Sequence, residues 1–193
     1  MADFNFSTVG ESLVYRLDSL EASVRTTLHL CAVFGMEFHL LDVVAAYQNL
    51  LQLDDSEKES RATNIVSALS VAVNEGIIDQ IYEGGQLDED SDEEADQNDS
   101  SSSGDPQGLE IDTNIAYRFH HAMWQENILK LMLDSRKRLL HQIIAESLEM
   151  AANGRKRQVN NYYSMIKLFG HWKASGNMLK ASELALTIGR SFA

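Results

Sequence analysis

The run "GGQLDEDSDEEADQNDSSSSGDPQG" (84–108) divides the chain between two strand-like stretches, and it limits what the rest can be. Residues 83–112 contain twelve acids and no lysine or arginine. A segment this acidic and serine-rich, with almost no large side chains, cannot bury enough apolar surface to offset its ordering entropy. Residues 84–112 are therefore expected to form a disordered acidic insertion. The chain's net charge is −13, yet outside 83–112 there are 17 acids against 16 bases. The acidity belongs to the insertion and says little about partners of the folded part. Pro106, the single proline, lies there too, so the other segments are free to be continuously helical.

The flanks of the insertion, "IIDQIYE" (77–83) and "IAYRFH" (115–120), alternate as short strands do. They should pair as a two-stranded hairpin with the insertion at its tip, where extra residues are best tolerated. Ahead of them the apolar spacing predicts four helices. The first covers 8–18, with Thr8 and Glu11 as a capping box and Leu13, Leu17 and Leu20 at helical spacing. The second covers 20–34 on Val24, Leu28 and Cys31, and Gly35 should stop it. The third, 40–51, carries Leu40, Val44 and Tyr47. The fourth, 56–74, has Ser56 and Glu59 at its start, a stripe of Ile65, Leu69 and Ala72, and Gly76 as its stop.

Behind the hairpin, "SRKRLLHQIIAESLEMAAN" puts Leu140, Ile144, Leu148 and Ala151 on one face and Gln142, Glu146 and Glu149 on the opposite one. The last forty residues read as a helical hairpin turning at 175–177. Val159, Tyr162, Ile166 and Phe169 line its first helix, and Ala181, Leu184, Ile188 and Phe192 its second. One such hairpin cannot bury both faces alone, as in the first unit of a stacked array.

The fold class expected is mainly α. A winged-helix domain with a two-stranded hairpin spans 7–121 and includes the insertion 84–112. An α-helical, tetratricopeptide-like (TPR-like) extension spans 122–193. At 44% hydrophobic residues the chain can build a core. No apolar run is long enough for a bilayer, and "MADFNFSTVG" lacks the features of a signal peptide. The lone Cys31 fits a reducing compartment. The expectation is a cytoplasmic protein without membrane contact.

Site chemistry centres on His120 and His121 in "YRFHHAMWQE" (117–126). Adjacent residues of a strand point to opposite faces, His141 is twenty residues further on, and no metal-ligand spacing exists, so no metal site is expected. No phosphate-binding loop, nucleophile elbow or dinucleotide fingerprint occurs, and most carboxylates lie in the insertion. No catalytic residue is assigned, and the chain is expected not to be an enzyme. Nucleic acid is disfavoured as well. The reading helix of a winged helix should be basic, but here it carries Glu57 and Glu59 beside Lys58 and Arg61. The wing carries the acidic run, which repels phosphates. Two basic clusters, Arg136-Lys137-Arg138 and Arg155-Lys156-Arg157, lie elsewhere. Alternatives left open are a winged-helix transcriptional regulator and a helical adaptor protein.

Three stretches resemble one family. "YRLDSLEASVRTTLHLCAVFGMEF" (15–38) resembles the segment after the ATPase core of STAND-class signalling NTPases. "YRFHHAMWQENILKLMLDSRKRLLHQIIAESLE" (117–149) is similar to that class's pattern F-x-H-x-x-x-Q-E, followed by R-x-L-H-x-x-I-A-x-x-L-E. "FGHWKASGNMLKASELALTIGRSFA" (169–193) resembles the start of the TPR-like region that follows. The nearest likeness is the region downstream of class III adenylate/guanylate cyclase domains, as in soluble adenylyl cyclase-like proteins. The resemblance implies a regulatory region that docks on a P-loop NTPase domain of the same parent chain. That neighbour would bind ATP or ADP, and this segment would hold no cofactor of its own except through one contact. By position His121, more closely than His120, matches a histidine held near the nucleotide phosphates. Phe119 precedes it and Gln125-Glu126 follow. The chain departs from the pattern at Leu129, where an aromatic residue is usual, and at Ala122, where related proteins carry an acid. Further protein partners would bind the helical array.

Deleting residues 86–107 should leave the thermal midpoint nearly unchanged. Differential scanning calorimetry of the deletion variant checks this, and a collapsed transition would mean that the insertion is part of the fold.

Overall fold

The computed structural model describes residues 6–51, 55–82, 115–154 and 162–190. Its elements are α1 (Phe6–Ser19), α2 (Ala22–Phe34), β1 (Glu37–His39), α3 (Leu40–Leu51), α4 (Asp55–Asn74), β2 (Ile78–Tyr82), β3 (Ile115–Phe119), α5 (Ala122–Leu131), α6 (Asp134–Gly154), α7 (Tyr162–Ser175) and α8 (Met178–Arg190). The expected insertion 84–112, the basic cluster 155–157, Val159 and Phe192 lie outside the described residues.

Helix α2 lies at the centre. Leu30, Cys31, Ala32, Val33 and Phe34 are all buried, and five consecutive buried positions cover every side of a helix. Accordingly α3, α4, α5, α6 and β1 all pack on it. Its end is Gly35, whose N–H reaches the Cys31 carbonyl. Helix α4 contributes Ile65, Leu69 and Ala72 to the same core, as their spacing predicts. It closes at Gly76, with φ +65°. There Gly76 N–H donates to Val73 O (2.9 Å) and Ile77 N–H to Ala72 O (3.0 Å). This bond pair satisfies two orphan carbonyls and needs a residue without Cβ strain in the left-handed region.

The sheet corrects the expected two-stranded hairpin. β2 and β3 do pair antiparallel, with Ile78 opposite Phe119 and Tyr82 opposite Ile115. A third strand, β1, pairs with the other edge of β3, Phe38 opposite Tyr117, so the order is β1-β3-β2. Three residues are too few for an alternation signal, and Glu37–His39 is extended because β3 offers it a partner. Phe38 then packs on the Tyr117 ring (6.0 Å) and the Phe119 ring (5.8 Å). Aromatic neighbours of this kind add to the area they bury.

The expected helix boundaries agree to within about two residues, the usual ambiguity of helix ends. α1 begins at Phe6, so Thr8 and Glu11 fall inside it. Trp124, Ile128, Leu140 and Ile144 of α5 and α6 join the same core as Leu28 and Phe38. A smaller cluster of Ala145, Leu168, Trp172 and Ala181 holds α7 and α8 to α6. The second turn is Gly176-Asn177, where Gly176 N–H donates to Lys173 O and Asn177 N–H to Trp172 O. Two expected faces are corrected. Ile166 is exposed, because α7 rests on α6 through Leu168 and Trp172 instead. Glu149 does not face away. It accepts hydrogen bonds from Trp172 Nε1 (2.9 Å) and Lys180 Nζ (2.9 Å), tying three helices together. The same bond to Glu149, ahead of any burial effect, holds the Lys180 ammonium above the ordinary lysine range.

Ile144→Ala should cost about 2–5 kcal/mol, because the fully buried methyl groups leave a cavity. The half-exposed Leu139→Ala should stay within about 0.5 kcal/mol. Urea denaturation followed by circular dichroism measures both, and equal costs would contradict this packing.

Candidate functional site

The sequence-derived candidate His121 lies where β3 hands over to α5. Strand β3 is central, so its end is fixed on both sides: Phe119 N–H donates to Met36 O and His120 N–H to Ile77 O, both at 3.0 Å. The next residue turns the chain. His121 has extended backbone angles (φ −138°, ψ 144°) and occupies the cap position before α5, with its side chain making no capping hydrogen bond. Its carbonyl accepts from Trp124 N–H at 3.0 Å. The imidazole is exposed.

His120 has a different environment. Alternation along β3 places it on the outer face with Arg118, and the register sets Asp79 opposite Arg118. The His120 Nδ1 lies 3.1 and 3.0 Å from the two Asp79 carboxylate oxygens. A carboxylate only accepts, so Nδ1 carries a proton that it donates to Asp79. The His120 and His121 rings meet edge to face, centroids 4.5 Å apart. The fold thus orients His120 directly and gives His121 one aromatic neighbour. The pairing of Asp79 with His120 was not anticipated from the sequence. Its signal is available only once the strand register is known, because 41 residues separate the two.

The surrounding residues anchor this corner. Gln125 Nε2 donates to Ala32 O at 2.9 Å, satisfying a carbonyl in the last turn of α2. Gln125 thus serves as a clamp between α5 and the central helix. Glu126 faces Lys130 at 3.6 Å on the surface, a pair worth little in stability. Trp124 is buried, and the Arg16 guanidinium of α1 sits 5.1 Å from its ring centroid. The same Arg16 donates to the Glu75 carbonyl at the end of α4. Cation–π contact and carbonyl bond together pin α1 and α4 beside the start of α5.

The remaining chemistry is sparse. Cys31 is fully buried, and burial pushes its thiol well up, so it is not a thiolate nucleophile. Among the described residues no three His, Cys, Asp or Glu side chains converge as a metal set would. No described helix is long and apolar enough to cross a membrane.

Asp79→Asn should lower the share of the Nδ1–H tautomer in neutral His120, read from side-chain nitrogen chemical shifts by NMR. An unchanged tautomer ratio would mean that Asp79 does not hold the ring. No protein-family model, curated protein or solved structure matches this chain significantly.

Proposed function

We propose that this chain is the non-catalytic regulatory region of a STAND-type signalling ATPase, of the kind linked to a nucleotide cyclase. Its role is to dock on the neighbouring P-loop NTPase domain and to couple ATP or ADP binding there to output. The observation that carries this reading is the element order. Helix α2, strand β1, helices α3 and α4, then β2 and β3 follow one another, with β3 between the two other strands. This order supports reading the region as a winged helix with β2 and β3 as its wing. The α7–α8 hairpin behind it, with Met178, Leu179 and Leu186 facing outward, suits a TPR-like stack.

The position of His121 supports a nucleotide contact. It is exposed, it is free of capping duty, and it stands at the positive end of α5, where backbone N–H groups point outward. A histidine N–H donating to a phosphate oxygen makes a charge-assisted hydrogen bond. Made with one nucleotide and lost with the other, that bond biases docking by the difference in its strength between the two states. The alternative of a DNA-binding winged helix has less behind it. The sequence of α4 mixes acids and bases, and the acidic insertion joins the ends of β2 and β3, where phosphate contacts would form.

In a protein carrying both this chain and its NTPase domain, His121→Ala should change ADP or ATP occupancy or basal output several-fold. If neither moves, His121 has no part in the mechanism. The isolated chain, titrated with a short DNA duplex at low and high salt, should show no tight binding. Salt-sensitive binding there would select the DNA-binding reading.

A further inference from the structure

The backbone of His121 is fixed where its carbonyl accepts from Trp124 N–H at 3.0 Å. Its side chain is exposed and makes no capping hydrogen bond. A surface histidine ordinarily samples several χ1 rotamers, and ordering it against a ligand costs side-chain entropy. A group that is to meet a ligand in one geometry is best held there beforehand by its neighbours. Among the described residues the aromatic partner of the His121 ring is His120.

Alternation sends neighbouring strand residues to opposite faces. His121 stands beyond β3, which ends at Phe119, and there its ring comes back against that of His120. The two rings meet edge to face, with centroids 4.5 Å apart and planes at 68°, an arrangement that aromatic pairs favour. His120 is itself held twice from the same side. Its backbone N–H donates to Ile77 O at 3.0 Å, one residue ahead of β2. Its Nδ1–H donates to the Asp79 carboxylate within β2, 3.0 and 3.1 Å from the two oxygens. Asp79 is opposite Arg118 of β3, which has Glu37 of β1 on its other side. Backbone and ring of His120 are thus both tied to β2 or its lead-in, which leaves this imidazole little freedom.

We propose that His120, oriented by Asp79, is the positioning residue for His121. A carboxylate on β2 fixes one imidazole, and that imidazole holds the next in the orientation used at the nucleotide phosphates. The two adjacent histidines then have separate duties: the first is a template and the second makes the contact. The purpose rests on the nucleotide contact proposed above, whereas the orientation is a property of this chain alone. An aromatic contact of this kind biases a rotamer equilibrium by roughly two- to tenfold.

Three-bond Hα–Hβ couplings of His121, measured by NMR on the full chain, read its χ1 populations. In the wild type one rotamer should dominate. His120→Ala should average it, lowering the population ratio by roughly two- to tenfold. His120→Phe returns an aromatic ring and should recover more of the bias than Ala leaves. Asp79→Ala frees the His120 ring without removing it and should loosen His121 by less than His120→Ala does. A wild-type His121 already averaged among rotamers overturns the proposal. So do couplings unchanged in either Ala variant, or no recovery with Phe. Should His120→Ala not fold, Asp79→Ala decides. In a protein carrying both this chain and its NTPase domain, His120→Ala should move ADP or ATP occupancy in the direction of His121→Ala, by a smaller factor. The double variant should be no worse than His121→Ala alone, because the two residues act as one unit. An effect of His121→Ala with none from His120→Ala overturns the positioning role and leaves the nucleotide contact standing. No effect of His121→Ala overturns the contact and with it the purpose, while the couplings separately decide the orientation.

Discussion

Enclosure of the last turns of α2 is the constraint on which the rest of the structure depends. From Leu30 to Phe34 no side of the helix is left for water. Each large apolar side chain moved from water into such a core contributes roughly 1.5–3 kcal/mol. Covering one side is not enough, so α3, α4, α5 and α6 surround it, and β1 grows directly from its end. The same demand explains why Gln125 and Arg16 matter. Gln125 satisfies a carbonyl in the last turn of α2, at a buried position where an unpaired one would be costly, and Arg16 ties the exposed end of α4 to α1.

Enclosure of α2 also decides where chemistry can lie. The inner face of the sheet is given to Phe38, Tyr117 and Phe119, which leaves only the outer face and the strand ends for polar groups. Asp79, Arg118 and His120 occupy that outer face, and His121 follows at the turn into α5. The candidate site is thus a corner of the surface, built from a strand end and a helix start.

The far side of α6 is organised by different forces. Few apolar residues hold α7 and α8, and polar contacts carry much of the specificity there. Glu149 gathers the Trp172 indole and the Lys180 ammonium, and the two histidines share a proton across the seam. Partly buried polar contacts fix geometry strictly, because each partner lost leaves a desolvated group behind.

Much of this was legible in the residues. The stripes Val24–Leu28–Cys31, Ile65–Leu69–Ala72 and Leu140–Ile144 are local patterns whose period alone identifies helices and their buried faces, and Gly76 marks an end through its backbone freedom. The pairing of β2 with β3 followed from two alternating runs. Strand β1, the Asp79–His120 bond, the turn of Glu149 toward α7 and the His141–His171 contact were not legible. Each depends on which residue a distant element brings opposite, across 30 residues for the two histidines and 41 for Asp79 and His120. Local chemistry determined the elements and the apolar faces; only the packing of those elements around α2 decided which polar groups would meet.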